Sequence, residues 1–214
     1  MDEDISIINA KTRNEKIKNF FINNKKYLIS IITLIVLLLI SYFAFSEIQE
    51  NKNKNLALKF NNIISKFDPL NKENVKNELI EIINEKNTTY SPLALYFIID
   101  NEIQTSNEEI NNYFDVLINE TDLDKEVKNL IIYKKGLFNA NYETENNLIT
   151  ILKPIINSDS IWKSHALYLI AEYFFDKNQK QKAKEFFNQI ISNEKSNAKI
   201  VLEAKKRLIR DFNE

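Results

Sequence analysis

The chain of 214 residues contains no cysteine, one glycine, one histidine, one tryptophan and three prolines. Without cysteine it carries neither a disulfide nor a thioether-linked lipid, and it offers no thiolate for catalysis or metal binding. A single histidine, His165, excludes a histidine metal cluster and a Cys–His pair, and its setting suits a helix face better than a catalytic role. One glycine rules out a glycine-rich phosphate loop, and no nucleophile elbow is present. So few glycines and prolines also leave few β-turn signals, which argues for helices over sheet. The charge is nearly balanced, 29 Lys and Arg against 30 Asp and Glu. Lacking a basic surplus to neutralise phosphates, the chain is not expected to bind nucleic acid. No cofactor or metal is expected either.

What the chain does have is one long uncharged apolar run, residues 27–45, interrupted only by Ser30, Thr33 and Ser41. Nineteen residues in helix span about 28 Å, close to the ~30 Å hydrocarbon core of a bilayer. Tyr27 at one end and Tyr42, Phe43 and Phe45 at the other suit the interfacial aromatic belts. The run is therefore expected to be a transmembrane helix. Lys11, Arg13, Lys16, Lys18, Lys25 and Lys26 precede it, and Glu47 and Glu50 follow. The positive-inside bias puts residues 1–26 in the cytoplasm and the remainder across the membrane, in a Gram-negative cell the periplasm. A cleaved signal peptide is the competing reading, because Ala44-Phe45-Ser46 loosely matches a small-x-small site. The long basic segment and the length of the apolar run favour an uncleaved anchor. The hydroxyls of Ser30, Thr33 and Ser41 could contact another membrane helix, but the plain anchor is the simpler reading.

Taking the six basic and four acidic residues before the span from the totals of 29 and 30 leaves 23 against 26, so the remainder is mildly acidic. Its hydrophobic period is helical throughout. Leu56, Phe60, Ile63, Ile64 and Phe67 recur at helical spacing until Asp68-Pro69 breaks the chain. Val75, Leu79, Ile82 and Ile83 mark the next helix, and Ser91-Pro92 reads as N-cap and first helical position of another. Further helices are expected at about 106–119, 124–140, 143–157, 160–176, 179–193 and 197–212. Residues 46–90 read as connecting helices or a degenerate repeat, and 91–214 as repeats with a terminal helix. The carboxylate pairs Glu108-Glu109, Asp122/Asp124 and Glu143/Glu145 fall near helix starts, where the dipole favours them, which outweighs acid–base chemistry. Asn87-Thr-Thr and Asn119-Glu-Thr match glycosylation sequons, as an asparagine-rich chain does by chance.

The strongest internal signal is a repeat. In residues 164–195, Leu167, Ile170, Ala171 and Phe174 share one helix face, and Ala183, Phe187 and Ile190 lie on the next. Small residues at Ala171 and Ala183 allow close crossing, and Phe187 fills the groove. The same offsets recur as Ile132, Gly136, Leu148, Leu152 and Ile155, with the only glycine at the crossing position. A weaker copy is Ala94, Ile98, Ile110 and Phe114, where Ile110 replaces the expected alanine.

With these residues the chain resembles a tetratricopeptide-repeat protein. The basic N-terminus, single span, degenerate repeats, Leu152-Lys-Pro-Ile-Ile…Ile161-Trp162 stretch and closing Ala204-Lys-Lys-Arg-Leu helix are similar to the bacterial inner-membrane family of the ancillary SecYEG translocon subunit. The resemblance implies an all-α fold, a transmembrane helix followed by an α-solenoid of helical hairpins. It also implies a non-enzymatic periplasmic scaffold whose partners are translocon subunits, periplasmic chaperones and exported polypeptides. Related envelope scaffolds serve cell division or outer-membrane assembly, and the sequence fits that alternative as well. The repeat register turns Leu95, Ile99 and Glu102, then Leu130, Tyr133 and Leu137, then His165, Tyr168, Glu172 and Phe175 toward a concave surface suited to polypeptide. The alternative is that many of them pack against the next hairpin or the terminal helix.

Overall fold

An uninterrupted run of apolar residues without Pro or Gly has one way to satisfy its backbone in lipid, namely a helix. In the computed structural model, which describes residue 13 and residues 15–70, 72–103 and 105–212, that run lies within α1, Lys25–Ser65, 41 residues or about 60 Å long. Helical residues 15–23 precede it, with a turn at Asn24 whose side chain donates to the Phe20 carbonyl at 2.9 Å. The Thr33 hydroxyl is satisfied within the helix, donating to the Ile29 carbonyl at 2.9 Å. Every large apolar side chain from Ile29 to Phe45 is exposed, and none of the most apolar window is buried. This helix is long and apolar enough to cross a membrane. It is also far longer than the run 27–45 that marks it in sequence. It stops at Ser65, just before Asp68-Pro69, where Asp68 accepts from the Leu70 amide at 2.9 Å.

The chain divides into two units, one ending at Asn55 and one beginning at Leu56. The second holds the end of α1 and eight further helices among the described residues. They are α2 (Glu73–Asn84), α3 (Tyr90–Asp100), α4 (Asn107–Glu120), α5 (Lys125–Asn139), α6 (Glu145–Ile156), α7 (Lys163–Asp176), α8 (Lys180–Ser192) and α9 (Ala198–Phe212). The described residues contain no strand, so the fold is all-α. Each helix from α2 to α9 packs on its neighbour in sequence. In addition, α2 meets α4, α5 meets α7, and α7 meets α9. The expected boundary at residue 90 falls at the first residue of α3, which packs on α2.

Local signals account for several boundaries. Ser106 and Glu109 form a reciprocal capping box that starts α4, and Thr144 caps α6 by accepting from the Asn147 amide. Ser91 does not cap α3 as its sequence suggests. Its hydroxyl donates to the Ile82 carbonyl at 2.6 Å and accepts from the Asn87 amide, tying α3 to the last turn of α2, while the Asn87 side chain receives the Thr89 and Tyr90 amides. Residues 160–162 also lie outside α7 as a turn. There the Glu126 carboxylate accepts from the Ser160 hydroxyl at 2.7 Å and the Ile161 amide at 3.2 Å.

Two hydrophobic clusters hold the unit. The first joins Leu56, Phe60 and Ile63 of α1 to α2, α3, α4 and Ile131 of α5. The second joins Ile132 of α5 to α6, α7, α8 and Ala204 of α9. Adjacent residues Ile131 and Ile132 thus belong to different cores, which makes α5 the wall between them.

Candidate functional site

Of the ten positions expected to line a groove, nine sit on α3, α5 and α7 and Glu102 lies beyond the end of α3; apart from Glu102 and the buried Leu95, they fall into three groups. On α3, Leu95 is 0% exposed and belongs to the first core, so it cannot line a surface. The helix reads Tyr-Ser-Pro-Leu-Ala-Leu-Tyr-Phe-Ile-Ile-Asp, apolar on nearly every side, and its period therefore does not distinguish the face turned to α2 and α4. Glu102 is not on a helix face either. It lies beyond the end of α3 with φ +50°, where its amide donates to the Ile99 carbonyl and the next amide, of Ile103, reaches back to Ile98. This is the Schellman arrangement that ends a helix.

Ile99 of α3 and Leu137 of α5 do face one cleft. With Tyr96, Asp100, Phe114, Lys134 and Phe138 they line this cleft of about 200 Å³. Leu137 is 50% exposed at its mouth. The Lys134 ammonium lies 4.3 Å from the centre of the Tyr96 ring. Burial pushes the Tyr96 phenol far above its ordinary range, and its hydroxyl is buried without a hydrogen-bond partner. Leu130 is half-buried on the same helix.

Tyr133 and His165 form a second group with Trp162. Tyr133 stacks on Trp162 with centroids 5.9 Å apart, and His165 lies 5.2 Å from Trp162 and 6.0 Å from Tyr133. Trp162 is fixed by donation from its indole N–H to the Glu126 carbonyl at 3.1 Å. Burial lowers the His165 pKa below its usual value, opposed by the backbone at Ile161. Burial likewise raises that of Tyr133.

Tyr168, Glu172 and Phe175 form the third group, and the chain's own α9 covers them. Arg207 makes a two-pronged ion pair with Glu172, Nε to Oε1 at 2.7 Å and Nη2 to Oε2 at 2.8 Å, and also pairs with Asp211. The same guanidinium lies 4.3 Å over the Phe175 ring, and Phe212 packs on Phe175 and Phe187. The Tyr168 ring meets Phe187 edge-on at 5.5 Å, and its pKa is pushed up to about 12, first by burial and then by the negative charge of Glu172. This end of the expected surface is covered by the terminal helix α9.

The expected packing positions are all buried. Ala171, Ala183, Phe187, Leu148 and Leu152 lie in the second core, and Gly136 faces Leu152, whose Cδ2 would stand 2.5 Å from a Cβ added there.

The structure also has a feature absent from the sequence-based expectations, a polar cleft of about 500 Å³ between α4, α5 and α6. At its floor Asn111 and Asn139 exchange side-chain hydrogen bonds of 3.0 and 2.7 Å. Among the described residues no group of His, Asp or Glu side chains is arranged to hold a metal ion. No family model matches the chain, and neither the curated proteins nor the solved structures contain a match.

Proposed function

We propose that this protein is a membrane-anchored scaffold for protein–protein contact, with α1 as its single span and the helices from Leu56 onward as its working part. The observation that carries this reading is the union in one chain of an apolar helix with no buried residue in its hydrophobic window and a helical unit with an apolar cleft at Ile99 and Leu137. An apolar cleft with a few polar groups at its edge suits an apolar side chain of a partner polypeptide.

In its finer form, the reading is a tetratricopeptide-like α-solenoid in the periplasm, anchored in the bacterial inner membrane and not an enzyme. The contacts of α5 with α7 and of α7 with α9 support the solenoid. The basic residues before the span support the orientation. The likeness in layout to the ancillary translocon subunit supports a role beside the Sec channel, linking export to periplasmic chaperones.

In-cell photo-crosslinking from Leu137 and Leu37, with adducts identified by mass spectrometry, tests this. Translocon subunits from Leu37 together with chaperones or exported chains from Leu137 are the expected result. Division or outer-membrane assembly factors at both sites would move the protein to another envelope machine. A membrane-extracted protein with no adduct from Leu137 would remove the cleft from any binding role.

A further inference from the structure

We propose that the N-terminal end of α1 binds an anionic phospholipid, with Lys25 taking the headgroup phosphate and the apolar surface below it an acyl chain. The inference rests on the reading of α1 as a span. Phe21, Ile22, Lys25, Leu28, Ile29 and Ile32 line a shallow depression of about 390 Å³ where helical residues 15–23 join α1. Their spacing puts them on one helix face. Lys25 is the only charged residue among them, and Phe21, Ile22, Ile29 and Ile32 are all exposed.

Charge decides what fills the depression. Lys11, Arg13, Lys16, Lys18, Lys25 and Lys26 lie on this side of the span against Asp2, Glu3, Asp4 and Glu15, and Lys25 and Lys26 stand nearest to it in sequence. Glu47 and Glu50 follow the span at its other end. A lysine at the edge of the hydrocarbon extends its stem along apolar surface and leaves its ammonium among the headgroups. There it attracts a phosphodiester of net negative charge, whereas a zwitterionic headgroup brings its own ammonium against the same cluster. A second copy of this helix seated on the same face would bring Lys25 toward another Lys25, which like-charge repulsion disfavours.

The test uses the full chain in nanodiscs of equal phosphatidylglycerol and phosphatidylcholine, read by native mass spectrometry of retained lipid. Each lysine near an anionic surface contributes about five-fold in affinity. Wild type should therefore retain phosphatidylglycerol about five-fold over phosphatidylcholine, and Lys25→Gln should bring the ratio toward parity. Ile32→Trp, which fills the depression and leaves the charge, should lower retention of both lipids, while Lys52→Gln beyond the other end should change nothing. An unbiased wild type, an unchanged ratio in Lys25→Gln, or a dimer mass without lipid would overturn the site. A chain released from membranes by alkaline carbonate would fail as an anchor and take the site with it. Insertion without lipid preference would overturn the site alone.

Discussion

Gly136 of α5 lies directly against Leu152 of α6, so close that a Cβ on the glycine would stand 2.5 Å from Leu152 Cδ2 and 2.9 Å from its Cγ. Leu152 is fully buried and has little room to retreat. Two effects oppose each other in Gly136→Ala. Helix propensity favours alanine by about 1 kcal/mol, and forcing a methyl into a packed core costs about 1–3 kcal/mol. The contact is expected to win, with a net loss of about 1–2 kcal/mol in denaturant unfolding of the detergent-solubilised chain. Adding Leu152→Ala should leave the second change costing less than it does alone. A stabilised Gly136→Ala would mean that the helices separate freely at this point.

Helix α3 ends without a glycine. Glu102 holds φ +50° so that the Glu102 and Ile103 amides can reach Ile99 and Ile98. An L side chain in this region is strained, and glycine is not. Glu102→Gly is expected to stabilise the chain by about 0.5–1 kcal/mol, read as a higher unfolding midpoint. Asn178, with φ +59° after α7, should gain less from the same change because asparagine tolerates this conformation. Equal or negative effects at both positions would refute the strain.

The helices were legible in sequence because their signals are local. Ser106 and Glu109 announce α4 three residues apart, and Ala171, Ala183 and Phe187 keep one phase through α7 and α8. Sidedness is legible only where a helix has a polar face, and the apolar α3 has none, so its period does not mark Leu95 as a core residue. Pairings across long stretches of chain were not legible. Glu172 and Arg207 are 35 residues apart, and nothing in the local helix period pairs the one with the other. Asn139 did carry a usable signal, since it continues the buried phase of Ile132 and Gly136 on α5.

His165 makes stability pH-dependent in a defined sense. Burial beside Tyr133 and Trp162 lowers its folded pKa below the unfolded value near 6.5. Above that value both states are neutral, and the fold bears no penalty. As pH falls through it the unfolded chain takes up a proton before the folded one does, so stability declines until the folded pKa is reached. Unfolding midpoints, compared from about pH 7.5 to 5, should fall less steeply with acid in His165→Gln than in wild type. Parallel curves would place the titrating group elsewhere.

The Asn111–Asn139 pair should behave as a unit. Asn139 is 1% exposed, and its amide also donates to the Lys135 carbonyl at 2.8 Å. Asn139→Leu removes both exchanged bonds, leaves the half-buried Asn111 its bond to the Asn107 carbonyl at 2.9 Å, and should cost about 0.5–1.5 kcal/mol. With both replaced by leucine, the double variant should cost less than the sum of the single changes. Strict additivity of the two changes would show that the exchanged hydrogen bonds contribute nothing beyond packing.

Arg207 fastens α9 through three contacts at once, the two oxygens of Glu172 and the face of Phe175. Its side chain is only 13% exposed, so the pair is better shielded from solvent than the lysine–carboxylate pairs elsewhere on the unit, Lys135–Asp115 apart. Lysine matches neither the planar fork nor the stacking. Arg207→Lys is therefore expected to weaken α9 almost as much as Arg207→Ala, on the order of 1–3 kcal/mol locally. Hydrogen exchange reads this directly, because the amides of α9 should open faster in both variants while those of α2 and α3, in the other core, keep their protection. If Arg207→Lys left α9 protected, a point charge would suffice and the two-pronged geometry would be incidental. If neither variant altered exchange, the apolar face of α9, Ile200, Val201, Ala204, Leu208 and Phe212, would hold the helix, and the surface of Tyr168, Glu172 and Phe175 would be closed by packing.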